Sequence, residues 1–175
     1  AHWIKLSADS ILVQGIGSGS PELQEDGLPH LDCGESGSTL RFLLPIAAAL
    51  GADCSFLLEG RLADRPLSPL REELESHGVS IRGKNPLSIS GKLCGCDYSI
   101  DGSVSSQFVS GLLFALPFCE EDSTIELIPP VESRSYINMT IDAMKSFGVN
   151  AEWKSETEIY IKGNQQYKSQ TLTVE

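Results

Sequence analysis

Three landmarks recur along this 175-residue chain at a nearly constant offset. His77-Gly78-Val79 returns as Phe147-Gly148-Val149, Arg65 as Arg134 and Ser38 as Ser105, at offsets of 70, 69 and 67 residues. The hydrophobic patterns repeat in the same order. "STLRFLLPIAAAL", Ser38 to Leu50, reads as a buried helix stopped by Gly51, and "CSFLLEG" reads as the strand after it. Pro45 lies inside that run and predicts a kink or a break, because proline offers no N–H to residue 41 and its ring crowds that carbonyl. "LSPLREELESHG" reads as an amphipathic helix with Leu67, Leu70 and Leu74 on one face and Gly78 at its C-terminus. "VSIRG" and "PLSISG" follow as strands joined by a turn at Asn85-Pro86. The second half runs likewise. "DYSID" is a strand, "SVSSQFVSGLLFALPF" a loop and buried helix, "STIELIPP" a strand, "SYINMTIDAMKSFG" an amphipathic helix ended at Gly148, and "VNAEW" and "EIYIKG" strands.

A fixed period of this size signals duplicated supersecondary units, here two nearly complete ones at about 31–91 and 97–163. "LSADSILVQG" resembles the closing "SETEIYIKG", so residues 1–17 are expected to be the end of an earlier unit. "QTLTVE" resembles "CDYSID", so residues 170–175 are expected to start a crossover strand. The chain reads as a piece of a larger repeat protein of the α/β (α+β) class.

Charge narrows the partners. The net charge is −11, and no basic stripe of the kind nucleic-acid binders carry is present, so nucleic acid is not an expected partner. No apolar run approaches the roughly 20 residues of a membrane span, and "AHWIKLSADS" lacks the regions of a secretory signal. The expectation is a cytoplasmic monomer that does not engage membranes. Cys33, Cys54, Cys94, Cys96 and Cys119 are odd in number and irregular in spacing. Cys94-Gly-Cys96 resembles half of a metal or redox motif, but no second pair and no histidine follows at ligand spacing. Reduced thiols, and neither a metal nor a disulfide framework, are expected.

Two loops occupy equivalent places between a strand and a buried helix, "CGESGSTLR" and "DGSVSSQF". The first N–H groups of each helix lack intrahelical partners and carry the positive end of the dipole, so small residues there admit an anion. Capping by Ser38 or Ser105 uses the same groups, and both readings stay open. Arg41 adds charge near the first loop. Arg65 precedes Pro66 at the expected start of a helix, where the dipole does not favour a cation, so it is expected to answer to something acidic: a carboxylate such as Asp64, or a ligand phosphate. Gln107 can fix a hydroxylated ligand or simply face solvent. Cys33 has no evident base to make it a nucleophile.

Taken together, "GESGSTLRF", "GRLADRPLSPL", "DGSVSSQF" and "SYINMTIDAMKSFGV" resemble successive motifs of the 5-enolpyruvylshikimate-3-phosphate synthase family, the 3-phosphoshikimate 1-carboxyvinyltransferases, in the family's order over nearly the whole chain. The resemblance implies two lobes, each of three small α/β units with helices inside and sheets outside, and this chain as most of the N-terminal lobe. It implies transfer of the enolpyruvyl group of phosphoenolpyruvate to the 5-hydroxyl of shikimate 3-phosphate, with release of phosphate and no metal or organic cofactor. Ser105, Ser106, Gln107, Ser133 and Tyr136 would hold shikimate 3-phosphate. Gly37, Arg65 and Gln107 would meet phosphoenolpyruvate, and Arg41 would be structural. The family often has Asn where Glu35 stands, and a carboxylate there weakens anion binding unless it points away or pairs with an arginine.

No catalytic residue is expected within the chain. The family's "PGSKS"-like motif would precede Ala1, and the acidic residues for proton transfer would lie in the second lobe, the expected partner. The chain alone is therefore expected to be inactive. The alternatives are a nucleotide-sugar enolpyruvyl transferase, a non-catalytic α/β module for another phosphorylated ligand, and a structural lobe whose loops only cap helices.

Overall fold

The computed structural model describes residues 2–15 and 27–173. Its elements are β1 (His2–Lys5), β2 (Ile11–Gln14), β3 (His30–Asp32), α1 (Gly37–Ala49), β4 (Cys54–Leu57), α2 (Leu70–Ser76), β5 (Val79–Arg82), β6 (Leu87–Gly91), β7 (Asp97–Asp101), α3 (Ser106–Ala115), β8 (Ser123–Ile128), α4 (Arg134–Ser146), β9 (Ala151–Trp153) and β10 (Glu158–Ile161). Two four-stranded sheets run β3-β4-β6-β5 and β7-β8-β10-β9. In each, the first two strands are parallel and the other pairings antiparallel. Each parallel pair is bridged by a buried helix, as a parallel crossover requires.

A separate hairpin, β1–β2, turns with the N–H groups of Leu6 and Ser7 both donating to Ser10 O. The β9–β10 hairpin turns the same way, with Lys154 and Ser155 donating to Glu158 O. Residues 1 and 16–17 of the expected earlier unit lie outside the described residues. Residues 170–173 form no strand, and the remainder of that expected strand, 174–175, also lies outside them. A strand is held by a ladder, and no strand is hydrogen-bonded to this segment among the described residues.

The sheets alternate buried and open positions, as in Leu87 and Ile89 of β6 or Ile159 and Ile161 of β10. These apolar faces meet a helical layer in which α1 packs on α3 and α3 on α4. Leu40, Leu44 and Ala48 of α1 and Phe108 and Leu112 of α3 are at most 2% exposed. Such burial stabilises by roughly 1.5–3 kcal/mol per large side chain.

Of the kink or break expected at Pro45, the break does not occur: α1 runs through it to Ala49. The reason lies on the neighbouring helix. Without an N–H at residue 45, the Arg41 carbonyl is left free of its usual intrahelical partner. That oxygen faces Gly111 of α3, where a Cβ would collide with it, and Pro45 Cγ would lie 3.0 Å from the same Cβ. Glycine therefore lets the two helices meet at the point where proline has altered the ladder.

The α2 expectation needs a sharper correction. The helix starts at Leu70, so Leu67 lies outside it, half-buried, and Arg65 closes a 3-10 turn at Leu62–Asp64. Pro66 and Pro69 disfavour helical geometry at the residues before them, which postpones the start.

Acidic groups at the sheet ends make stability pH-dependent. Asp122 accepts from Tyr160 Oη at 2.5 Å and from the Gly163 N–H at 2.9 Å, and these bonds hold its carboxyl below the usual range. A depressed folded-state pKa adds stability above the unfolded value, near 3.8, that is lost as pH falls through the folded value. Asp122→Asn is expected to flatten the fall in melting temperature below about pH 4. An unchanged acid slope in thermal unfolding would contradict this.

Candidate functional site

The two glycine- and serine-rich loops end at the N-termini of α1 and α3, and their caps differ from expectation at one position. Ser36, rather than Ser38, caps α1: its hydroxyl accepts from Thr39 N at 3.2 Å and from Thr39 Oγ1 at 2.8 Å. Ser38 stands inside the first turn, with its Oγ 3.2 Å from Ser36 Oγ. Ser105 caps α3, accepting from Gln107 N at 3.3 Å. Gly37 is then the first helical residue of α1 and is buried. A Cβ there would lie 3.2 Å from Arg65 Nη1 and 3.7 Å from Arg41 Nη1, so two guanidinium groups converge on it.

Arg65 does not answer to Asp64. Asp64 pairs with Lys84 at 2.6 Å, and Arg65 forms no ion pair among the described residues. Burial, and then the charge of Arg65, hold the Arg41 guanidinium below its ordinary range. Two cations side by side without a carboxylate form a locus that an anion would relieve.

Arg41 also joins the two loops. Its Nη1 donates to Gln107 Oε1 at 2.7 Å, across 66 positions of sequence, and its guanidinium lies 5.1 Å from the Phe108 ring centre. Arg41 also lies on the wall of a cavity of about 680 Å³. The same wall carries Ser105, Ser106, Gln107, Ser133 and Tyr136, which the sequence placed together. Among the described residues no Asp or Glu lines it, although the whole chain carries 24 of them. Its polar surface is hydroxyls, an amide and one guanidinium, set against the N-termini of α3 and α4.

Ser133 occupies the capping position of α4 in the left-handed region, φ 57°, and its side chain caps nothing. A serine held there costs of order 1 kcal/mol or more. Arg134, the landmark paired with Arg65, points elsewhere. It donates to Glu156 O at 2.7 Å and stacks 3.8 Å from the Trp153 ring centre, pinning α4 to the β9–β10 hairpin.

The predicted residues thus fall into two groups, Gly37 with Arg65 and the serine loops with Tyr136, bridged by Arg41. Sequence reasoning missed Met139, Thr140 and Ala143 on the cavity wall. Their spacing from Tyr136 along α4 could have found them, since residues three and four apart share a helix face. Thr140 is partly occupied, bonding Ser110 Oγ at 2.7 Å and Tyr136 O at 3.0 Å.

Glu35, the residue that departs from the family pattern, lies across Gly60, where its carboxylate fills the place a Cβ would take. Gly60 has φ +54°, a backbone conformation that favours glycine, while the Glu35 side chain across it is flexible. Glu35 forms no ion pair with an arginine among the described residues. Cys33 is no nucleophile here: burial, and then Asp32, push its thiol up to about 11. No helix among the described residues is long and apolar enough to cross a membrane.

The family model for EPSP synthase (3-phosphoshikimate 1-carboxyvinyltransferase) matches residues 4–175. The chain belongs to the EPSP synthase family. A 3-phosphoshikimate 1-carboxyvinyltransferase of Clostridium kluyveri is 47% identical over 150 residues, covering 84% of this chain and 35% of that protein. One from Clostridium perfringens is 39% identical over 175 residues, covering 98% of this chain and 40% of that protein. The chain therefore spans little more than a third of the length of these relatives. Among solved structures, an EPSP synthase from Acinetobacter baumannii superposes with a TM-score of 0.66 at 23% identity, covering 79% of this chain and 31% of that one. That likeness speaks for the fold: mixed α/β, matching part of the EPSP synthase architecture.

Proposed function

We propose that the chain supplies the shikimate 3-phosphate side of a carboxyvinyltransferase active site. The parent enzyme would transfer the enolpyruvyl group of phosphoenolpyruvate to the 5-hydroxyl of shikimate 3-phosphate and release phosphate. The observation that carries this reading is the acid-free cavity, in which Ser105, Ser106, Gln107, Ser133 and Tyr136 share a wall with Arg41. A phosphate monoester suits that wall, because hydroxyl and N–H donors at helix starts stabilise negative charge without a metal. Gln107 and Tyr136 would meet the hydroxylated ring. Gly37 and Arg65, one Arg41 side chain away, would take the carboxylate or phosphate of phosphoenolpyruvate.

Such a transfer must move protons onto the methylene carbon and off the attacking hydroxyl. Among the described residues no carboxylate lines the cavity, so the acid–base groups would come from a second lobe that closes over the substrates. On this reading the 175-residue chain comprises most of one lobe, with units at about 31–91 and 97–163, binds shikimate 3-phosphate weakly and does not turn over.

The test is a titration of the chain with shikimate 3-phosphate, following the amide signals of Gly37, Ser105, Ser106 and Ser133, repeated with a nucleotide sugar. Shifts at the serine positions with the first ligand alone support the reading. Silence at all four, or an equal response to the sugar nucleotide, overturns it. Turnover by the purified chain would refute the division of labour between lobes. Ser106→Ala removes a hydroxyl donor to a charged group, worth about 1.5–3 kcal/mol, so the dissociation constant should rise roughly 10- to 100-fold by calorimetry.

A further inference from the structure

The Cys94-Gly95-Cys96 motif plays no part in either loop. It lies at residues 92–96, where the chain passes from β6 of one sheet to β7 of the next. This connector is anchored along its length. Leu93 N donates to Ala48 O at 3.0 Å, Tyr98 Oη to Cys94 O at 2.5 Å, and Thr124 N to Cys96 O at 3.2 Å. Gly95 is pressed against the Glu121 carbonyl so closely that any Cβ would collide with it. With both cysteine carbonyls tied down, the two sulfur atoms are held 3.2 Å apart. A covalent S–S bond is about 2.05 Å, so the two sulfurs have little more than about 1 Å left to close. Cys94 is exposed, Cys96 half-buried, and both are free thiols.

We propose that Cys94 and Cys96 form a redox-active dithiol, a site of reversible disulfide formation by exchange with a small-molecule disulfide such as glutathione disulfide. The exposed Cys94 thiolate attacks one sulfur of the incoming disulfide and expels one thiolate. Cys96 then loses its proton to solvent, attacks the Cys94 sulfur of the mixed disulfide and expels the second thiolate. Two protein thiols are oxidised and one small disulfide is reduced to two thiols, so the electrons balance.

The order of attack follows from burial. Desolvation, and then the bond to Cys94, push the Cys96 thiol up to about 12, leaving the exposed Cys94 as the entry point. The other thiols are excluded by place. Cys33, Cys54 and Cys119 are buried and pushed up to about 11, and Cys119 donates to Leu93 O on the inner side of the connector. A metal is not the better reading, because no group of three His, Cys, Asp or Glu among the described residues could hold one.

The experiment treats the 175-residue chain with glutathione disulfide, quenches with acid, then unfolds, alkylates with N-ethylmaleimide and maps peptides by mass. The expected product carries no label at Cys94 or Cys96 and has lost two hydrogens, is restored by dithiothreitol, and is fully labelled at Cys33, Cys54 and Cys119. Cys96→Ser should arrest as the glutathione adduct at Cys94. A wild-type product that stops at the mixed disulfide, or one in which Cys119 takes part, overturns the proposal. Phenylarsine oxide gives a check without a variant: one equivalent should protect both thiols from alkylation in the untreated wild type, and failure to protect them also overturns it.

Discussion

Gly111→Leu is expected to abolish cooperative unfolding of the chain. Gly111 sits in the middle of α3, where glycine costs a helix about 1 kcal/mol relative to alanine. Propensity alone would therefore favour substitution. The packing argument runs the other way and is larger. The Arg41 carbonyl, left free by Pro45, occupies the space of a Cβ at residue 111, and the obstruction is backbone rather than a flexible side chain. Overpacking a well-filled core typically costs 1–3 kcal/mol, and here the gap must open along the α1–α3 contact, the most extensive between helices. Gly111→Ala should lose about 2 kcal/mol net of its propensity gain in urea unfolding, and leucine more than about 4. If alanine were neutral or stabilising, the close crossing of α1 and α3 would be wrong. The displacement would also shift Arg41, so on the proposed function the milder variant should weaken shikimate 3-phosphate binding as well.

Phe108→Ala should cost about 3–5 kcal/mol, the range for truncating a buried aromatic ring. Phe108 is 1% exposed and belongs to the core on one side, yet the Arg41 guanidinium lies 5.1 Å from its ring centre on the other. The ring fills volume and supports the cation that bonds Gln107, a contact worth about 0.5–1 kcal/mol. Phe108→Leu separates the two roles. It should recover most of the stability by chemical unfolding and leave ligand binding impaired, because an aliphatic side chain offers no π face. Full recovery of both would mean that the ring acts only as filler.

The parts of this fold legible in the sequence are those governed by local periodicity. Alternation placed β5, β6, β8 and β10, and the apolar runs placed α1 and α3, because burial of one face writes itself into neighbouring residues. Local rules misled where two applied at once. Leu67 continues an apolar face into α2, but Pro66 and Pro69 govern the backbone there and the helix waits until Leu70. Pro45 predicted a kink or a break, and the helix runs through it unbroken where it packs on Gly111. At the site, Ser105, Ser106, Gln107, Ser133 and Tyr136 were legible as motifs, and the cavity gathers them. The bridging role of Arg41 was not. A hydrogen bond spanning 66 positions leaves no local signature, and neither does the turn of Glu35 onto Gly60.

The Arg41–Gln107 bond has a thermodynamic consequence. One Arg41 N–H is directed at Gln107, while the same guanidinium flanks Gly37. A ligand that recruits the Gln107 amide at the second loop releases that N–H toward the first, and an anion at Gly37 that draws Arg41 away frees Gln107. If each loop takes one substrate, as proposed, occupancy at either would alter affinity at the other, and by linkage the factor would be the same in both directions. On that reading the two ligands would sense each other through a single guanidinium.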